Sequence, residues 1–137
     1  MTLPAITEEA RRLAALRELG VLDTLPESAF DTITATAAQL CGVPIALISL
    51  VDAHRQWFKS SFGMPGANET SRDVAFCDHA IRDDALFEVP DATSDPRFRD
   101  NPFVTGEPDV RFYAGAPIVM PGGERIGTVC VIDRAPR

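Results

Sequence analysis

At 137 residues the chain has the length of one domain, long enough to bury roughly 70% of its unfolded surface without a disulfide or metal to support the core. Its composition, 45% hydrophobic and 24% charged with a mean hydropathy of zero, is that of a soluble globular protein, and no apolar run is long enough to cross a membrane. A net charge of −7, with one lysine against twelve arginines and no basic stripe, argues against a nucleic-acid binder.

In chain order, Thr7-Glu8-Glu9 reads as an N-cap followed by acids in a first turn, and Leu13, Leu16 and Leu19 mark an apolar stripe that Gly20 ends. Nothing at this end has the basic-then-apolar pattern of a secretory leader, so a cytoplasmic location is expected. Pro26 opens a second helix with Phe30, Ile33, Ala37 and Leu40 inward, stopped by Gly42. The N-terminal helices thus occupy about residues 7–41, and the sheet with its loops about 44–133, in a single domain over 1–137. The run from Pro44 to Val51 is a central strand, and Asp52 to Arg55 turns it into a second strand, Gln56 to Phe62. There Lys59 and Ser61 are expected to face water while Phe58 and Phe62 face in. Gly63 to Asp73 is loop, with Pro65 and Gly66 in it. Val74 to Ile81 reads as a short strand becoming a helix with Asp78 as its cap, and Leu86 to Val89 as a short strand. Asp91 to Asp109, with three prolines, is a long loop holding one helical turn. Phe112 to Asp133 is a hairpin around Pro121-Gly122-Gly123-Glu124, its second arm apolar enough to be covered on both faces. The order gives an α+β domain: a central antiparallel sheet covered by helices.

Several blocks together carry a family resemblance. They are Gly-Val-Leu-Asp-Thr at 20–24, Ala-Leu-Ile-Ser-Leu-Val-Asp at 46–52, Gln-Trp-Phe-Lys-Ser at 56–60 and Phe-Cys-Asp-His-Ala-Ile at 76–81. Val-Pro-Asp-Ala at 89–92, Asp-Pro-Arg-Phe at 95–98, Asn-Pro at 101–102, Phe-Tyr-Ala-Gly-Ala-Pro at 112–117 and Gly-Thr-Val-Cys-Val-Ile-Asp at 127–133 complete the set. In this order they resemble a GAF domain, of the subtype found N-terminal in bacterial sensor histidine kinases and diguanylate cyclases. The resemblance implies five or six antiparallel strands, the two N-terminal helices on one face and a loop-lined pocket on the other, as in GAF- and PAS-like sensors. It leaves the cofactor or ligand unknown, since GAF domains bind cyclic nucleotides, bilins, haem, small metabolites or only another protein. Neither the cyclic-nucleotide motif nor the bilin-cysteine pattern has a counterpart here.

The residues singled out for a ligand site are His79, Tyr113, Arg97, Asp91, Asp95, Cys77, Phe98, Phe112 and Trp57. Cys77 and His79 flank Asp78 and could form a metal or haem ligand pair or an activated thiolate; the favoured reading is a buried cysteine and a histidine bonded to a loop. No metal site is expected. Cys41, Cys77 and Cys130, each in apolar sequence, read as reduced core thiols. Arg97 could clamp a carboxylate or phosphate, but Asp95 is expected to cap the turn at Pro96 while Arg97 braces Asp91. Trp57 and Phe112 are expected in the core, whereas Tyr113 has a hydroxyl that needs a partner if buried. Arg72 and Arg111 are read as solvated surface more readily than as charge at a pocket mouth.

Three functions follow. The first is a non-catalytic sensory domain that binds a small ligand or a partner and signals through its helices to a kinase or cyclase, in a two-component or related system. The ending Arg134-Ala135-Pro136-Arg137 fits it, since related chains run on from there. The second is a pure dimerisation module, with Leu13, Leu16 and Leu19 as the seam of a homodimer. The third is a cysteine-dependent free methionine sulfoxide reductase, disfavoured because the cysteines lack that branch's motif.

Overall fold

A computed structural model describes residues 4–64 and 68–137, with side chains from residue 8 onward. Pro65 and Gly66 of the expected loop lie outside the described residues. Helix α1 spans Pro4–Glu18 and α2 Ser28–Cys41; strands β1 (Ile45–Val51) and β2 (Arg55–Phe62) follow. The crossing segments hold β3 (Glu69–Ser71), α3 (Phe76–Ala80), β4 (Phe87–Val89) and α4 (Pro102–Thr105). The closing hairpin is β5 (Phe112–Val119) and β6 (Arg125–Asp133). The six strands form one antiparallel sheet in the order β3-β2-β1-β6-β5-β4. β1 and β6 sit at its centre, so both faces of these apolar strands are covered.

Alternation along β1 divides the core. Ile45, Leu47 and Val51 face α3 and the loops, in a cluster with Phe76, Phe98, Tyr113 and Cys130. Leu50 packs with Leu16 of α1 and Trp57, and Ala46 with Ala38 of α2. Leu16 is fully buried, worth roughly 1.5–3 kcal/mol of transfer free energy. α1 begins three residues before Thr7, which lies inside the helix and not at its cap. Gly20 and Gly42 both take φ of 63°, the left-handed conformation that closes a helix.

Three orientations differ from the sequence expectation, each for a polar reason. Within α2, Thr34 and Ala38 are buried while Ile33 and Leu40 are 46% and 82% exposed. Ser60 Oγ bonds Thr34 Oγ1 at 2.9 Å and Asp31 Oδ1 at 2.6 Å, and these bonds turn the helix so that Ile33 and Leu40 of its expected stripe face out while Phe30 and Ala37 stay half-buried. In β2 a bulge opposite Ile48 and Ser49 leaves Lys59 without a partner in the register. Lys59 is buried, its ammonium donating to Thr24 Oγ1 (2.8 Å) and the Leu25 carbonyl (2.7 Å) and pairing with Glu27 at 2.6 Å. Phe62 is instead 41% exposed. The blocks at 20–24 and 56–60 are therefore one structural clasp that ties the helix connection to the sheet; Asp23, at φ of 62°, joins it through Arg55 at 2.7 Å.

On the opposite face the long segment is better ordered than a loop. Asp91 accepts from Thr93 N (3.0 Å) and Asp95 from Arg97 N (2.9 Å), each opening a turn. Asn101 caps α4 by accepting from Phe103 N (2.9 Å), and its Nδ2 reaches the Val74 carbonyl (2.9 Å), tying α4 to the segment before α3. Asp78 lies inside α3 and is not its cap. The segment 63–73 contains β3, which pairs with the first residues of β2.

Candidate functional site

The side of the sheet covered by α3 and α4 encloses a small cavity of about 30 Å³, lined by Gln56, Met64, Cys77, Phe103, Tyr113 and Cys130 among others. That is space for roughly two waters and for no metabolite. Its lining is mostly apolar, with a cluster of polar side chains beside it. Tyr113 and Thr128 hydroxyls lie 3.2 and 3.1 Å from Cys77 Sγ. Ser49 Oγ donates to Gln56 Oε1 at 2.7 Å, and Gln56 Nε2 to Thr70 Oγ1 at 2.7 Å. Every buried side-chain polar atom among the described residues has a partner.

The sequence places the Tyr113 hydroxyl there by a local device. A Cβ on Gly115 would collide with the Tyr113 ring, its Cζ only 2.8 Å away. Glycine therefore lets the phenol lie back along its own strand toward Cys77. The neighbouring Cys130, with the Thr128 and Tyr113 hydroxyls, favours the Cys77 thiolate against its burial and brings its pKa below the usual thiol value. The Cys130 thiol moves the opposite way, raised first by its interaction with Cys77 and then by burial. Burial, followed by the nearby Cys77 charge, pushes the Tyr113 phenol up, so it stays a donor.

The other expected site residues separate. Phe98, 1% exposed, stacks on Phe76 with centroids 4.1 Å apart, and His79 meets its edge at 4.8 Å. Burial and the positive charge of Arg82 lower the His79 pKa. Arg97 pairs with Asp95 at 2.7 Å, not with Asp91, and lies over the Phe87 and Phe98 rings. Asp91 and Asp95 are turn caps. Trp57 and Phe112 are buried as expected, but away from the cavity: Trp57 lies under α1, and Phe112, next to inward-facing Tyr113 on β5, lies under Arg137. Cys41 is exposed, unlike the other two thiols. Leu16 is committed to the core, so the expected Leu13–Leu16–Leu19 seam is not free for a partner.

Arg72, expected on the surface, is instead a hub. Its Nε donates to Asp78 Oδ1 of α3 at 2.8 Å and its Nη1 to Glu9 Oε2 of α1 at 2.7 Å. Glu9 also receives two 3.0 Å bonds from Arg12, whose other arm reaches the Val51 carbonyl at 2.6 Å. Arg12 and then Arg72 pull the Glu9 pKa down to about 2. These residues border an open cleft of about 700 Å³ between α1, α3 and the β5–β6 turn, closed on its far side by Arg125 and Glu124. The arginines there are matched to Glu9, Asp78, Asp84 and Glu124, the last at a loose 3.6 Å. Nothing in the sequence pairs residues 9, 72 and 78; only the fold brings them together. Among the described residues no cluster of three or more His, Cys, Asp or Glu could hold a metal, and no helix is long and apolar enough to cross a membrane.

A six-stranded antiparallel sheet with two helices behind it and a cavity beneath a short helix in front defines a sensor-type α+β domain. The GAF domain family model matches residues 25–137, and the chain belongs to that family. A cyclic di-GMP phosphodiesterase of Pseudomonas aeruginosa is 48% identical over 136 residues, which are 99% of this chain but 23% of that protein; the chain thus spans under a quarter of this relative. Among solved structures, the GAF domain of an Acinetobacter phosphoenolpyruvate-protein phosphotransferase aligns with a TM-score of 0.64 at 14% identity, covering 100% of this chain and 81% of that one. A type II free methionine-R-sulfoxide reductase from Thermoplasma acidophilum aligns with a TM-score of 0.64 at 13% identity, over 80% of this chain and 74% of its own. At such identities these likenesses speak for the fold alone.

Proposed function

We propose that this chain is a non-catalytic, cytoplasmic sensory domain in which an event at the cavity under α3 is passed to α1 and on to an output module. One observation carries the reading: α3 presents Cys77 to the cavity and the next residue, Asp78, to Arg72, which holds Glu9 of α1. Because the two residues are adjacent on a helix of five residues, a displacement of its backbone at Cys77 also moves Asp78. The likeness to a cyclic di-GMP phosphodiesterase supports an output module that makes or degrades a cyclic dinucleotide over a histidine kinase. A metabolite would enter only if the half-buried Met64 and Phe103 moved aside.

Trp57, the only tryptophan, lies beneath α1 and reports on that helix. The test is a thermal-melt screen against cyclic nucleotides, tetrapyrroles, amino acids and methionine sulfoxide, followed by Trp57 emission. A ligand at 100 times its Kd adds about 2.7 kcal/mol. Arg72→Ala is expected to keep the melt shift and lose the Trp57 response. An undiminished Trp57 response in Arg72→Ala refutes the coupling.

A second observation favours a homodimer through the N-terminal helices, by a different seam from that expected. Ala29, Ile33, Thr36 and Leu40 are all exposed and follow heptad spacing on the face of α2 away from its buried Thr34 and Ala38. Asp31 is the helix's only charge and lies outside that stripe. An uncharged stripe on a molecule of net charge −7 is self-complementary, which suits a second copy. Leu40→Glu should convert a dimer to monomer in sedimentation; equal mass for both chains would remove this reading.

A further inference from the structure

Core cysteines ordinarily sit among apolar atoms that keep the thiol protonated. Cys77 and Cys130 both belong to the apolar core cluster, but there Cys77 also meets two hydroxyls. Both are buried, at 2% and 1% exposure, on facing elements α3 and β6. Both line the same cavity, whose volume of about 30 Å³ suits a molecule little larger than water. Two hydroxyls, those of Tyr113 and Thr128, meet Cys77 Sγ at 3.2 and 3.1 Å, and no apolar role requires either.

We propose that Cys77 and Cys130 are a hydroperoxide-reactive dithiol, Cys77 taking the oxygen and Cys130 resolving it to a disulfide that staples α3 to β6. The Cys77 thiolate attacks one peroxide oxygen and the O–O bond breaks. The departing hydroxide or alkoxide takes a proton relayed by the Tyr113 hydroxyl, and Cys77 becomes a sulfenic acid. The Cys130 sulfur, losing its proton, then attacks Cys77 Sγ; the S–S bond forms, the S–O bond breaks and water leaves. In sum two thiols are oxidised by two electrons, and one hydroperoxide is reduced to an alcohol or water, with one further water released. This names the signal for the sensory reading above and rests on it only for the consequence: Asp78, next to Cys77, would carry the staple's pull to Arg72 and α1.

The test begins from Cys41→Ser, which removes the exposed thiol. After hydrogen peroxide, alkylation and peptide mapping, a Cys77–Cys130 linked peptide is expected, reversible by dithiothreitol. Cys130→Ala should stop at a dimedone-reactive Cys77, and Tyr113→Phe should slow oxidation several-fold while leaving the melt unchanged within a few degrees. Two alkylatable thiols remaining at peroxide doses that oxidise Cys41 in the parent chain would overturn the dithiol. A disulfide that forms with unchanged Trp57 emission keeps the chemistry and defeats the coupling. A ligand that moves Trp57 in a chain that forms no disulfide does the reverse.

Discussion

Replacing Glu9 by Gln keeps the shape of the α1 anchor and removes its charge. In the folded chain the Glu9 carboxyl titrates near 2, against an ordinary 4.5, because Arg12 and Arg72 both donate to it. Taken at full strength that difference corresponds to roughly 3 kcal/mol. The side chain is 38% exposed, so solvent screening reduces the expected contribution to about 1 kcal/mol, a shift in Tm of roughly 3–5 °C. Since the folded value lies below the unfolded one, the unfolded chain binds the proton first as pH falls. The contribution is complete above pH 4.5 and fades as pH drops through about 2. Denaturant unfolding of the parent chain and Glu9→Gln at pH 7, 5, 3.5 and 2.5 reads the gap directly. It should be full at the first two values, shrink at the third and be smallest at the last. A gap of equal size throughout would mean that Glu9 acts by packing and that the α1–Arg72 link carries no charge energy.

Gly115→Ala should push the Tyr113 ring off its strand and cost several kcal/mol; near-normal denaturant stability with an unshifted tyrosine signal would contradict the close approach described. Lys59→Met should cost about 2 kcal/mol by leaving the Leu25 carbonyl and Glu27 unpaired, and should open residues 20–27 to limited proteolysis. His79 is held neutral by burial and Arg82, so the folded chain should be most stable above about pH 6.5 and lose stability as pH falls toward the lower folded value. In His79→Phe that slope should flatten, and an unchanged slope would assign it elsewhere.

The antiparallel sheet and both helices were legible because apolar runs, turn residues and motif blocks agreed along the chain, as between Phe112 and Asp133. Facing was legible where only burial decided it, as at Phe58. It failed at Ile33, Leu40 and Lys59, where hydrogen bonds to Ser60, Thr24 and Leu25 outweighed the hydrophobic pattern. Of the candidate site, the burial of Cys77 and the partner needed by a buried Tyr113 hydroxyl could be read from a thiol and a phenol in apolar sequence. Their meeting with Thr128 and Cys130 could not, because it depends on α3 landing across β6. The Glu9–Arg72–Asp78 chain was invisible for the same reason: its members are 63 and 6 residues apart.

The sheet's outer strands have a consequence for life inside a larger protein. β3 and β4 are three residues each, and Pro90 follows β4 directly. Each covers only three residues of the longer strand beside it, and the strongly apolar β1 and β6 are kept at the middle of the sheet, two strands away from its nearer margin. A dimer of long chains holds such domains at high local concentration, where pairing along strand margins would grow into aggregates. Keeping the most apolar strands away from both margins works against growth in that direction.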